Sequence, residues 1–151
     1  MNKYMEEAIK EACSGIEQKH GGPFGCVIVK DGTVVGRGHN QVVKNNDPTC
    51  HGEMMAIRDA CKNLGTFDLT GCELYTTGYP CLMCFTAILW ANIDKVYYAC
   101  NTTDTEIIGF RDKEFEDSIM QRKEEICVEM ERESGLQLYR EYANGEGHTN
   151  Y

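Results

Sequence analysis

The chain is short of positive charge and of long apolar runs. Only 15 lysines and arginines stand against 24 acidic residues, a formal net charge of −9. A protein that grips nucleic acid needs a cationic track to replace the counterions of the phosphates, and surplus carboxylates repel that backbone. No nucleic acid partner is therefore expected, and a small, uncharged substrate is favoured. No stretch approaches the roughly 18 consecutive apolar residues of a membrane span. The opening residues Met1 to Glu7 lack the apolar core of a signal peptide. A cytoplasmic protein that engages no membrane is the expectation. Internal repeats, low-complexity tracts and domain linkers are also missing. The 151 residues fit a single domain spanning 1–151, long enough to bury about two-thirds of its unfolded surface.

Nine cysteines are present, an odd number at irregular spacing in a chain large enough to fold without staples, so most are read as reduced thiols. Cys13, Cys26, Cys61, Cys72, Cys100 and Cys127 lie within apolar patterns and are expected to pack as small hydrophobes.

Apolar residues at Tyr4, Met5, Ala8, Ile9, Ala12 and Ile16 recur at helical spacing, which predicts an amphipathic helix from Lys3 to about Gln18. Two β-rich runs, Gly25 to Lys30 and Thr33 to Gly38, flank Asp31-Gly32, a pair suited to a tight hairpin turn. A polar loop through Lys44 to Thr49 leads to a helix from His51 to about Leu64. A strand over Cys72 to Thr77, a helix over Cys81 to Ala91 and a strand over Lys95 to Cys100 follow. Farther on, a helical turn at Glu106 to Phe110, a fifth strand at Ile126 to Met130 and a last helix at Ser134 to Tyr142 are expected. This alternation predicts an α/β fold of three layers, α/β/α, with a mixed central sheet of about five strands covered by helices on both faces.

Two clusters carry the chemistry. Cys50-His51-Gly52-Glu53 opens one predicted helix and Pro80-Cys81-Leu82-Met83-Cys84 opens another. Cys81 and Cys84, three residues apart in a first helical turn, face the same way, and the positive end of the helix favours their thiolate forms. His51 adds a third ligand, and three protein ligands with a fourth position for water describe a catalytic zinc site, one Zn²⁺ per chain. Glu53 is not needed to hold the ion; its carboxylate is placed to move protons during hydrolytic deamination. The plain alternatives are a structural clip for the cysteines and a helix N-terminal acid for Glu53. Cys50 is read as a packed thiol, because a fourth protein ligand would expel the water. His20, His39 and His148 are read as surface or loop residues, and Trp90 as either a core aromatic or a pocket-lining one.

The His-x-Glu and Pro-Cys-x-x-Cys pair is the signature of zinc nucleobase deaminases. Together with Gly21-Gly22-Pro23-Phe24-Gly25, Gly38-His39-Asn40, Asn46-Asp47-Pro48-Thr49, Gly109-Phe110-Arg111-Asp112 and a terminal Tyr151, it makes the chain resemble the bacterial-type guanine deaminases of the cytidine deaminase superfamily. The resemblance implies zinc on His51, Cys81 and Cys84, a proton shuttle at Glu53, and a nucleobase held by Phe24, Asn40, Gly52, Asp112 and Tyr151. It further implies deamination of guanine to xanthine and a domain-swapped homodimer in which the C-terminal segment, with Tyr151, closes the partner's site. Cys50, Gly52 and Tyr79 depart from the relatives' usual residues and bear on pocket shape. The alternatives are a deaminase of another small amino base or nucleoside (guanosine, cytosine, an aminotriazine), a tRNA adenosine deaminase, and a zinc-stabilised binding module without catalysis.

Overall fold

Asn2 starts the first helix by accepting the Tyr4 and Met5 amide protons on its side-chain oxygen at 2.9 and 3.1 Å, the N-cap bond that satisfies otherwise orphan donors. In the computed structural model, which describes residues 1–151, this helix, α1, runs Lys3–Glu17. Strands β1 (Gly25–Lys30) and β2 (Thr33–His39) follow as the predicted hairpin. Asp31 and Gly32 both take left-handed backbone angles, φ 48° and 77°, as a type I′ turn requires.

A one-turn helix α2 (Val42–Asn45) stands in the segment expected to be loop. Then come α3 (Gly52–Leu64), closed by Gly65 at φ 67°, β3 (Cys72–Gly78), α4 (Leu82–Trp90) and β4 (Lys95–Cys100). Helix α5 (Thr102–Ile107) begins at a reciprocal cap between Asn101 and Asp104, a few residues ahead of the expected helical turn.

The sheet has the order β2-β1-β3-β4. Its β1–β2 and β1–β3 pairs are antiparallel and β3–β4 is parallel. Side chains alternate across it, so the two faces gather different cores. On one face Cys26, Ile28, Cys72 and Leu74 pack with Ala56, Ala60 and Ile88 of α3 and α4. On the other, Val27, Val29 and Tyr75 pack with Ala8 of α1. The α/β/α layering is as expected, with four strands in place of about five.

The fifth strand is the element that fails. Ile126 is the last residue of α6 (Asp112–Ile126), and residues 127–131 hold no regular structure. Its β-branched and apolar residues have no neighbouring strand to complete a ladder, and the preceding run rich in Glu and Lys forms a helix instead. Helix α7 (Arg132–Asn144) is longer than the expected last helix.

The cysteines divide. Cys26 and Cys72 are buried and Cys61 is half-buried, but Cys13, Cys100 and Cys127 are exposed, so half of the thiols expected in the core lie outside it. All nine are free. No helix is long and apolar enough to cross a membrane.

Two compact units divide the chain, Met1–Lys113 and Glu114–Tyr151. The first contains the sheet and helices α1 to α5. In the second, neither α6 nor α7 buries a residue, and the tail returns so that Tyr142 donates its hydroxyl proton to the Thr149 carbonyl at 2.6 Å.

Candidate metal centre

The two motif clusters meet because two helices begin beside each other at the end of the sheet. His51 is the N-cap residue of α3 and Cys81 the N-cap residue of α4, both with extended backbone, and Cys84 lies in the first turn of α4. Close backbone packing brings α3 to this place. A Cβ on Gly38 of β2 would stand 2.4 Å from the Ala56 nitrogen and 2.6 Å from the Gly52 carbonyl oxygen. A Cβ on Gly52 would stand 2.9 Å from the Phe24 carbonyl oxygen. Only glycine lets the strand and helix approach this far.

His51 Nδ1 lies 3.5 Å from Cys81 Sγ and 3.6 Å from Cys84 Sγ. Tetrahedral zinc, with bonds of about 2.1 Å to nitrogen and 2.3 Å to sulfur, sets an N···S edge of about 3.6 Å. The three donor atoms all lie within 4.8 Å of one another. Donor type, number and spacing therefore fit a zinc ion held by His51, Cys81 and Cys84. Cys50 is buried and stays out of the group. Its sulfur instead accepts hydrogen bonds from Asn45 Nδ2 at 3.5 Å and Arg58 Nη1 at 3.7 Å, so the packed thiol is also a polar fixture of the loop preceding His51.

The electrostatics suit a cation. The hydrogen bond from Cys84, together with His51, lowers the Cys81 thiol, while the same shared hydrogen bond and burial push Cys84 upward. Metal binding displaces protons from the thiols that become its ligands. The hydrogen bond to Cys81 raises the His51 imidazole against the opposing effect of burial, and the charges of Glu53 and Asp112 add to the rise.

Glu53 is buried, 6% exposed, and burial raises its carboxyl above the ordinary range. Thr76 donates its hydroxyl proton to Glu53 Oε1 at 3.2 Å. Thr76 was not legible as a site residue: it occupies an inward position of β3, where the alternation asks only for something buried.

Phe24 links the metal cluster to the residues expected to bind a base. Its carbonyl accepts the Asn40 amide proton at 2.8 Å and abuts Gly52, and its ring meets Phe110 edge-on, centroids 4.8 Å apart at 81°. A Cβ on Gly78 would lie 3.3 Å from that ring. Asn40 is buried, and its Oδ1 accepts the Val42 amide proton at 3.1 Å. Asp112 begins α6 and reaches His51 through its charge. Tyr151, the final residue of the second unit, is exposed. Tyr79 meets Tyr98 edge-on at 5.0 Å. Trp90 ends α4 and is 61% exposed, so it is no core aromatic.

Two histidines expected on the surface are instead joined. His20 Nδ1 and His39 Nε2 are 2.8 Å apart, and His39 Nδ1 is 3.2 Å from Glu11 Oε2. Both rings are partly buried.

Residues 1–100 match the family model for the cytidine and deoxycytidylate deaminase zinc-binding region. The chain is 42% identical over 147 residues to guanine deaminase of Bacillus subtilis, covering 93% of this chain and 94% of that one. The X-ray structure of guanine deaminase from Bacillus subtilis superposes with a TM-score of 0.86 at 41% identity, covering 99% and 100% of the two chains. The tRNA-specific adenosine deaminase of Aquifex aeolicus is 43% identical over 96 residues, covering only 64% of this chain and 63% of that one.

Proposed function

The chain belongs to the cytidine and deoxycytidylate deaminase family, and from that premise we propose that it hydrolyses guanine to xanthine and ammonia. One observation carries the choice of substrate. Similarity to a guanine deaminase runs through 93% of the chain, whereas similarity to a tRNA deaminase covers 64%. The family model ends at residue 100, short of Asp112 and Tyr151.

In this reading His51, Cys81 and Cys84 hold zinc, which when bound supplies a Lewis acid that makes water a nucleophile at neutral pH. Glu53 takes a proton from the attacking water, gives it to the ring nitrogen beside the amino-bearing carbon, and returns a proton to the departing nitrogen. The water oxygen bonds to carbon, the carbon–nitrogen bond breaks, and ammonia leaves with the balance of protons. Burial of Glu53 supports the role, since a raised carboxyl pKa suits a group that both accepts and donates.

Phe24 supplies a face for the purine. Asn40 has its oxygen engaged by Val42, so its amide protons are the groups offered to acceptors on the base; Asp112 accepts from the amide and amino edge, and the Gly52 backbone lines the wall. A site that matches a base by hydrogen bonds rejects analogues lacking those groups. Tyr151 would act across a homodimer in which C-terminal segments are exchanged. Helices α6 and α7, which bury no residue fully and expose Met120, Ile126, Leu138 and Tyr139, support such an association. A cytoplasmic place in purine metabolism belongs to the same reading, and nine free thiols are in keeping with a reducing compartment.

Chelation tests the reading. Stripping zinc should abolish xanthine formation from guanine, and one equivalent of zinc per chain should restore it. Turnover that survives complete metal removal would refute it. The −9 net charge opposes the second reading, a tRNA adenosine deaminase, which salt-sensitive tRNA binding would support.

A further inference from the structure

We propose that Thr76 is a positioning residue for catalysis: its buried hydroxyl anchors the Glu53 carboxylate so that proton transfer starts and ends at one fixed place. The proposal deepens the reading of Glu53 as proton shuttle and rests on it.

The strand pattern makes the hydroxyl stand out. Residues 72, 74 and 76 of β3 face the same core, and the first two are Cys72 and Leu74, both fully buried. Thr76 is 1% exposed, and Val would fill this place with nearly the same shape and suit a strand equally well. A buried hydroxyl without a partner costs about 1–3 kcal/mol. Thr76 avoids that cost by donating to Glu53 Oε1 at 3.2 Å. The bond joins two elements far apart in sequence, strand β3 and the first turn of α3.

The donor is held rigidly. Thr76 pairs in register with Cys26 of β1 and Tyr98 of β4, and a β-branched side chain is stiff about χ1. Its hydroxyl is thus fixed by the sheet, and it anchors Glu53 beside the hydrogen bonds that the carboxylate makes with Cys84 and with its own backbone amide. A carboxylate has two oxygens; the bond assigns one of them to the anchor. A group that carries protons to two successive atoms of a reaction gains from staying in one geometry, because small misplacements of a catalytic group are costly in rate.

The test uses zinc-loaded full-length protein. Thr76→Val should keep one zinc per chain and a KM within about twofold of wild type, and lower kcat by about tenfold, since the interaction lost is not one with bound substrate. Thr76→Ser should restore most of kcat. Adding Thr76→Val to Glu53→Gln should cause no further loss, because the anchored group no longer shuttles protons. Wild-type kcat in Thr76→Val, or equal impairment of the Val and Ser variants, would overturn the proposal. Should Thr76→Val fail to fold, Thr76→Ser is compared with Thr76→Ala, and equal kcat in those two overturns it likewise.

A second readout needs no activity. In denaturant unfolding, Thr76→Val should lower the midpoint more when Glu53 is present than in the Glu53→Leu background. Equal losses would show that the two side chains are uncoupled. Inactivity of the wild type on guanine would refute the substrate reading and leave this coupling test standing.

Discussion

In the proposed mechanism Glu53 and His51, two residues apart, divide the work of the site between proton transfer and metal binding. Glu53→Gln keeps the shape and removes the exchangeable acid, so zinc content should remain near one per chain while turnover falls by about three orders of magnitude or more, because one group serves several transfers. Metal analysis beside an ammonia assay checks both halves; near wild-type turnover in Glu53→Gln would leave the family fold with a different mechanism. A second residue-scale expectation concerns His20. Burial lowers its pKa, with the charges of Lys44 and His39 adding to the effect. A histidine whose folded pKa is depressed contributes stability in full above the unfolded value of about 6.5 and loses it as pH falls below that. The 2.8 Å contact between His20 and His39 acts in the same direction, since it accommodates one proton between the rings and not two. The unfolding midpoint should therefore drop between pH 7.5 and 5.5, and drop less in His20→Gln. An equal drop in both proteins would assign the loss to other groups.

At the scale of elements, the crossing of β2 over the start of α3 sets the metal centre. Gly38→Ala places a Cβ 2.4 Å from one backbone atom of α3 and 2.6 Å from another, neither of which can swing aside. Overpacking of this kind costs roughly 1–3 kcal/mol, and because it pushes away the helix end that carries His51, zinc affinity should fall as well. Denaturant midpoint and competition with a chromogenic chelator measure the two effects; an unchanged zinc affinity would mean that α3 is positioned by something other than this crossing. The elements that build the centre were legible in sequence because each carries a local signal: Asp31-Gly32 for the hairpin, Gly65 for the end of α3, Pro80 and Cys81 for the start of α4. Beyond Asn101 such signals thin out. Residues 126–130 read as strand by composition, but a strand needs a neighbour to pair with, and composition does not reveal one. Thr76 escaped for a related reason. A threonine in a buried strand looks like any β-branched filler until the partner of its hydroxyl is known, and that partner lies 23 residues away. His20 and His39, 19 residues apart, were hidden by the same separation.

The whole molecule poses the question of substrate. The zinc ligands and Glu53 lie in the first 100 residues, the portion that matches the family model, and identity to a tRNA deaminase, 43% over 96 residues, is about equal to that with a guanine deaminase, 42% over 147. What separates the two readings is how much of the chain each relative covers, 93% against 64%, together with a net charge of −9. Removing Asn150 and Tyr151 should impair turnover of guanine and leave zinc binding intact; unchanged kinetics would take the tail out of the site. Ammonia release measured side by side from guanine, guanosine, cytosine and an adenosine-bearing tRNA stem-loop tests the central claim most directly. The zinc-loaded protein should turn over guanine with a kcat/KM at least about a hundredfold above the others, as a site built on hydrogen bonds to one base discriminates. Preference for the stem-loop, or for any base other than guanine, would contradict it.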